Sequence, residues 1–188
     1  MQFEIFGHEI TLFYLISQLF ALAATLFSLY AFQRRRKSQI LNYTVIAAAC
    51  SVLHYVFLGA WAGAGSKGVS MVRNALAARD ARLHRVSRLA PLIFVALYIV
   101  AGFFSYESPA SILPVVGSCV YTVGIYFGDA RRLRYVVVLA SAIWLVYDIL
   151  VFSIVGIAAE SIFILNDLVA IYRYRQRKPH RKSKRKKT

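Results

Sequence analysis

Apolar runs at 10–32, 41–61, 89–104, 110–127, 135–155 and 157–172 occupy most of this 188-residue chain. Most are long enough, at roughly 1.5 Å of helical rise per residue, to cross a hydrocarbon layer of about 30 Å. With 59% apolar residues and only 16% charged ones, the chain is too apolar for an ordinary soluble domain. A multi-pass membrane protein is expected. The first run has no Lys or Arg ahead of it. It also exceeds the roughly 7–15 apolar residues of a cleavable signal, so it should stay in the bilayer.

The segment "VSMVRNALAARDAR" at 69–82 decides the topology, because it carries Arg73, Arg79, Asp80 and Arg82 between two apolar runs. Lys and Arg cluster at 34–37, 79–88, 131–134 and 173–187, which together hold 21 of the 23; only Lys67 and Arg73 lie elsewhere. Were 69–82 a loop, six spans would leave 4 of these charges inside and 17 outside, against the positive-inside bias. If 69–82 spans, all 21 face the cytoplasm and the N-terminus faces outward. The expectation is therefore seven helices, the third built largely on Ala75, Leu76, Ala77 and Ala78. Such a helix must be screened from lipid by its neighbours, and small residues permit that close packing.

An internal repeat is expected from a shift of 92 residues, which sets "LNYTVIAAACSVLHYVFLGA" (41–60) on "LRYVVVLASAIWLVYDILVF" (133–152). The same shift pairs Tyr55 with Tyr147 and Asn74 with Asn166. The first span matches the fifth only across a three-residue gap, with Phe32 on Phe127. The reading is an all-α integral membrane protein of two parallel three-helix repeats, 8–85 and 108–175. A linking helix at 86–106 joins them, and a disordered, polybasic cytoplasmic tail follows at 176–188. The odd single linker sets both repeats in the same direction, with their shared axis along the membrane normal.

This 3+1+3 plan and the paired asparagines resemble the SWEET and semiSWEET sugar transporters, whose site lies near the midplane between repeats. "IWLVYDIL" resembles the Trp and Tyr segment of that fold. The Pro-Gln pair of the PQ-loop relatives is absent, Phe32-Gln33 and Phe127-Gly128 standing near its place. Over nearly the whole chain apart from the tail, "SILPVVGS" (111–118), "MVRNALAAR" (71–79) and "WLVYDILVFSIVGIAAESIFIL" (144–165) resemble the YgjV-type bacterial inner-membrane proteins. That resemblance implies a bacterial cytoplasmic membrane and carries over to Arg73, Arg79, Pro114, Gly117, Trp144 and Glu160. It supplies no substrate.

Charged groups at membrane depth cost roughly 2.5–3.5 kcal/mol each even on lenient insertion scales, so they mark a pathway or a paired structural site. Arg73 and Asn74 on the third helix, and Asn166 and Asp167 on the seventh, are expected near mid-depth. Asp148 lies one turn beyond Trp144 and next to Tyr147. The expected substrate-binding set is Arg73, Asn74, Asn166, Asp167, Trp144, Tyr147, Asp148 and Tyr55, with Arg73 ion-paired to Asp167 or Asp148. His54 reads as a hydrogen-bonded packing residue, Glu160 as a helix N-terminal cap, and Cys50 and Cys119 as small buried hydrophobes.

No HExxH, GxSxG, phosphate-binding glycine loop or metal-spaced Cys/His cluster is present, so no enzyme, metal or cofactor is expected. The tail should meet anionic lipid headgroups rather than nucleic acid. The leading reading is a small-solute carrier or facilitator with a midplane cavity between the repeats, as a monomer or a homo-oligomer. The alternative is a non-transporting membrane receptor or scaffold with a filled core.

Overall fold

The computed structural model describes residues 3–5, 8–32, 34, 37–83, 89–127 and 130–176. The polybasic tail after 176 lies outside them. The described chain contains seven α-helices: α1 (Leu12–Phe32), α2 (Lys37–Phe57), α3 (Trp61–Arg82), α4 (Ala90–Phe104), α5 (Ile112–Phe127), α6 (Ala130–Leu150) and α7 (Ile154–Gln176). The all-helical class holds for the body of the chain. Ahead of α1, two short strands, β1 (Phe3–Ile5) and β2 (His8–Ile10), pair antiparallel with Phe3 opposite Ile10.

The chain packs as two helical units. Within each, the middle helix lies against both neighbours, α2 between α1 and α3, and α6 between α5 and α7. The units meet as α1 packs on α7 and α5 on α3, while α4 bridges α3 and α5. Stretches Leu12–Ala31 and Ser38–Phe57 are long and apolar enough to cross a membrane, whereas Ala90–Phe104, Pro109–Gly124 and Tyr135–Leu150 are shorter apolar helices. On α1, Leu12, Leu15, Leu19, Leu22, Leu26 and Leu29 form an exposed stripe at helical spacing. Phe103 and Phe104 on α4 are likewise exposed. In water so much open apolar surface would drive association. Against lipid tails it is simply solvated.

Helix α3 begins at Trp61, eight residues before the stretch the charge argument had marked. Its first two turns, "WAGAGSKG", have little hydropathy, yet Ala62, Gly63, Ala64 and Ser66 are buried. Small side chains let neighbouring backbones approach, so this helix gains by packing what it lacks in lipid affinity.

The turns leaving α2 and α6 are the same structure, 93 residues apart. Ala60 N–H donates to the Tyr55 carbonyl and Gly59 N–H to that of Val56; Ser153 N–H donates to Asp148 and Phe152 N–H to Ile149. Both are Schellman caps, with the left-handed residue Gly59 (φ 74°) in one and Phe152 (φ 55°) in the other. Glycine adopts that conformation freely. Phe152 is an unusual occupant, held by its carbonyl, which accepts from the Tyr14 hydroxyl at 3.2 Å.

These caps set the correspondence between the units at 93 residues rather than 92. Tyr55 therefore corresponds to Asp148, Gly63 to Gly156, Lys67 to Glu160 and Asn74 to Asp167. The expected Asn74–Asn166 pairing is displaced by one position, about 100° around a helix. Asn166 is exposed, and Asn74 and Asp167 are half-buried.

Candidate functional site

The capped ends of α2 and α6 bring four of the expected residues into one cluster. Tyr55, Trp144 and Tyr147 pack ring against ring, with centroids 5.8–5.9 Å apart in tilted and T-shaped arrangements. All three are buried, and with Ala60 and Ala64 they form the apolar cluster at the junction of the units. The Tyr55 hydroxyl donates to Asp148 Oδ1 at 2.7 Å. Asp148 is 1% exposed, so this bond is what solvates a carboxylate otherwise removed from water. The two residues occupy corresponding positions in their helices, and the bond joins one unit to the other.

Further bonds tie the same junction. Tyr147 accepts from the Gly63 backbone N–H at 3.0 Å. His54 donates from Nδ1 to the Ser17 carbonyl at 2.8 Å, and its Nε2 accepts from the Ser153 hydroxyl at 2.9 Å. The carbonyl can only accept, which sets that tautomer for the neutral ring. His54 is thus the hydrogen-bonded packing residue expected of it. Gln18 accepts from Val155 N–H at 3.0 Å, clamping α1 to the start of α7.

Glycine makes the close approach possible. A Cβ on Gly63 would stand 2.9 Å from ring carbons of both Tyr55 and Tyr147, and one on Gly156 would stand 2.7 Å from Asp148 Cγ and Oδ2.

Deeper along α3 and α7 the lining becomes charged. The Lys67 ammonium lies 3.7 Å from the centroid of the Trp144 ring, a cation–π contact. Glu160 and Asp148 are near enough to act on its charge. Ser141 lies close enough to Glu160 to act on its carboxylate. It is the seventh residue of α7, beyond the first turn, so the expected N-terminal cap is replaced by an interior position. Lys67 and Glu160 sit at the centre of the helical assembly, yet both keep part of their surface accessible.

Arg73 is 3% exposed. Its partners correct the ion-pair expectation: Nη1 donates to Thr122 Oγ1 at 2.7 Å, and Nε and Nη2 donate to Asn74 Oδ1 at 3.3 and 3.1 Å. Tyr121 lies beside it, 5.2 Å from ring centroid to guanidinium. Thr122 in turn donates to the Ser118 carbonyl at 2.7 Å. The guanidinium fork thus fastens α3 to α5 through neutral oxygens rather than through Asp167 or Asp148. Tyr121 is within electrostatic reach of both Arg73 and Asp167. Asn166 is exposed.

The structure therefore gathers Tyr55, Trp144, Tyr147 and Asp148 in one cluster, sets Arg73 and Asn74 together one level deeper, and leaves Asn166 on the surface. Lys67, Gly63, Gly156 and Thr122 were missed as members. A 93-residue shift, which sets Lys67 on Glu160 and Gly63 on Gly156, was the signal that could have found three of them. Cys50 and Cys119 are free and half-buried. No group of three or more metal-ligating side chains occurs among the described residues.

A family model described as a bacterial inner membrane protein, Imp-YgjV, matches residues 15–178. The chain is 24% identical to the inner membrane protein YgjV of Escherichia coli (strain K12) over 142 residues, which cover 76% of this chain and 73% of that protein. No solved structure matches. The likeness to the SWEET fold finds no support in these comparisons. The exposed apolar helices and the span of the family match lead to one conclusion: the chain belongs to the YgjV family of bacterial inner membrane proteins.

Proposed function

We propose that this protein is a small-solute carrier or facilitator, with its binding site in a crevice between the units α1–α3 and α5–α7. The observation that supports this most is the placing of Lys67 and Glu160, charged and partly accessible, at the centre of a membrane protein. Charge at such depth is costly and is retained where it faces a pathway or a partner. A packed scaffold would have filled this region with apolar side chains. The Tyr55–Asp148 bond and the ring cluster act as the seal between the units at one end of the crevice, and release of that seal would open it.

In this reading the two three-helix units run parallel with the N-terminus outside, and the seal lies on the periplasmic side. The basic residues near the opposite ends, Arg34 after α1 and Arg79 and Arg82 in the last turns of α3, favour that orientation. In intact cells a single cysteine at the exposed Ser108 should react with an impermeant thiol reagent, and one at Ser183 should not. Labelling of position 183 reverses the orientation.

Function itself is tested by reconstitution. Liposomes holding the purified protein and a labelled mixture of amino acids, sugars, polyols and organic acids should release a subset of these faster than protein-free liposomes. Equal release of every solute excludes a carrier and leaves the receptor or scaffold reading.

A further inference from the structure

Helices α2 and α3 form an antiparallel hairpin through the short turn at 58–60, and at its open end a groove of about 620 Å³ lies between them. Its polar lining is Asn42 from α2 with Arg79 and Arg82 from α3. Its apolar lining is Val45, Ile46, Ala75, Ala78 and Leu83. Helical spacing explains why one face of each helix supplies them: Asn42, Val45 and Ile46 on α2, and Ala75, Ala78, Arg79 and Arg82 on α3, recur at three- and four-residue intervals. Two alanines stand where longer side chains would close the trough. Ala78 is 3% exposed and forms its floor.

Polarity in this groove is ordered along the helix axes. Arg79 and Arg82 stand in the last turn of α3, and Arg82 Nη2 donates to Asn42 Oδ1 at 2.9 Å, so the polar groups gather at the open end of the hairpin. Ala75 and Ile46 lie one turn further in, toward the middle of Ser38–Phe57, a stretch long and apolar enough to cross a membrane. Ile46, Val72 and Leu76 are exposed at that level, so in an inner membrane the deeper half of the groove opens on acyl chains. A lipid molecule in its leaflet has the same order, charge at the boundary and hydrocarbon within.

The charge at the mouth is of one sign. No Asp or Glu lines the groove, and among the described residues no hydrogen bond or ion pair engages the Arg79 guanidinium. Arg82 commits only Nη2 to Asn42, which leaves the rest of its fork to a ligand. Two cations three residues apart on one helix face repel, and an anion shared by both forks relieves that repulsion. Inorganic phosphate would satisfy the arginines and leave the apolar trough empty. A zwitterionic lipid would bring its own ammonium to an arginine pair. A soluble acidic partner could not reach a trough that faces acyl chains.

We propose that the groove between α2 and α3 is a binding site for an anionic glycerophospholipid. Arg79 and Arg82 hold its phosphodiester, and the first part of an acyl chain lies along Val45, Ile46, Ala75 and Ala78. The site is separate from the region of Lys67 and Glu160 and does not depend on the carrier reading.

The test is the melting temperature of the purified full chain in a zwitterionic detergent, titrated with dioctanoyl phosphatidylglycerol. Dioctanoyl phosphatidylcholine, glycerol phosphate and inorganic phosphate are titrated in parallel. A saturable rise is expected with phosphatidylglycerol and none with the other three at equal concentration. Arg79→Gln and Arg82→Gln should each raise the half-saturating concentration at least about tenfold, the scale of one lost charge-assisted hydrogen bond. Ala75→Leu keeps both arginines and fills the trough, and it should weaken the response to a similar degree. Replacing Lys186 and Lys187 together by Gln removes more charge from the polybasic tail than either arginine variant removes from the groove, and should leave the response unchanged. Arg79, Arg82 and Ala75 are exposed, so the unliganded melting temperatures of their variants should stay near that of the parent. Equal responses to both lipids, a response to inorganic phosphate that matches that to phosphatidylglycerol, or no response to any probe overturns the proposal. So does a tail variant that loses as much as the arginine variants, or an Ala75→Leu protein that responds like the parent.

Discussion

Tyr55→Phe is expected to lower the melting temperature of the purified protein substantially. The substitution keeps the ring in the cluster and deletes only the hydroxyl that donates to Asp148 Oδ1. A buried acceptor left without its donor costs about 1–3 kcal/mol, and more when it is charged. Asp148→Leu alone should also destabilise, because it leaves the Tyr55 hydroxyl unpaired. The double variant should recover a large part of the combined loss, since replacing both members removes the unpaired group. A thermal scan of the four proteins in one detergent gives the coupling directly. Additive losses would show that the bond does not join the two units energetically.

Gly156→Ala carries the second large effect. The new Cβ would overlap the Ser153 hydroxyl and the Asp148 carboxylate, and both belong to the cap that ends α6. Overpacking of this kind costs about 1–3 kcal/mol, and it pushes Asp148 from Tyr55, so a clear loss of stability is expected. Gly68→Ala is the matched control. A Cβ there meets nothing within 4 Å, so the helix propensity gained should raise stability by up to about 1 kcal/mol. Equal melting temperatures for the two variants would mean that α7 does not approach α6 as closely as described.

The two variants also separate what was legible in the chain from what was not. Cap hydrogen bonds, rather than residue identities, set the correspondence of the two units. Leu, Val and Ala recur so often in apolar helices that a shift of 92 residues collects even more identities than the structural 93. Tyr55 on Tyr147 and Asn74 on Asn166 looked informative, yet a one-residue slip turns a helix by about 100° and exchanges buried for exposed. Asn166 was lost from the site in that way, and Lys67 was missed.

Hydropathy misplaced boundaries for a related reason. The apolar runs 41–61 and 135–155 continue through the turns that end α2 and α6, because Gly59 and Phe152 reverse the chain by a backbone angle that hydropathy does not register. The early turns of α3 fall outside the apolar runs because Gly, Ala and Ser partition weakly into lipid. Packing against the neighbouring helices, which depends on small size, made them the buried part of that helix instead.

Sequence alone determined the class of this protein: seven helices, a membrane as solvent, and Trp144, Tyr147 and Asp148 as near neighbours on one helix. Those follow from transfer free energies and from local spacing along one helix, both of which act over a few residues. Tertiary structure decided which charge meets which neighbour. Arg73 took Thr122 and Asn74 rather than Asp167, Asp148 took Tyr55, and Lys67 took the face of Trp144. The reason is geometric: the strength of these bonds depends on tenths of an ångström between side chains up to 93 positions apart, and only the packed helices set that distance.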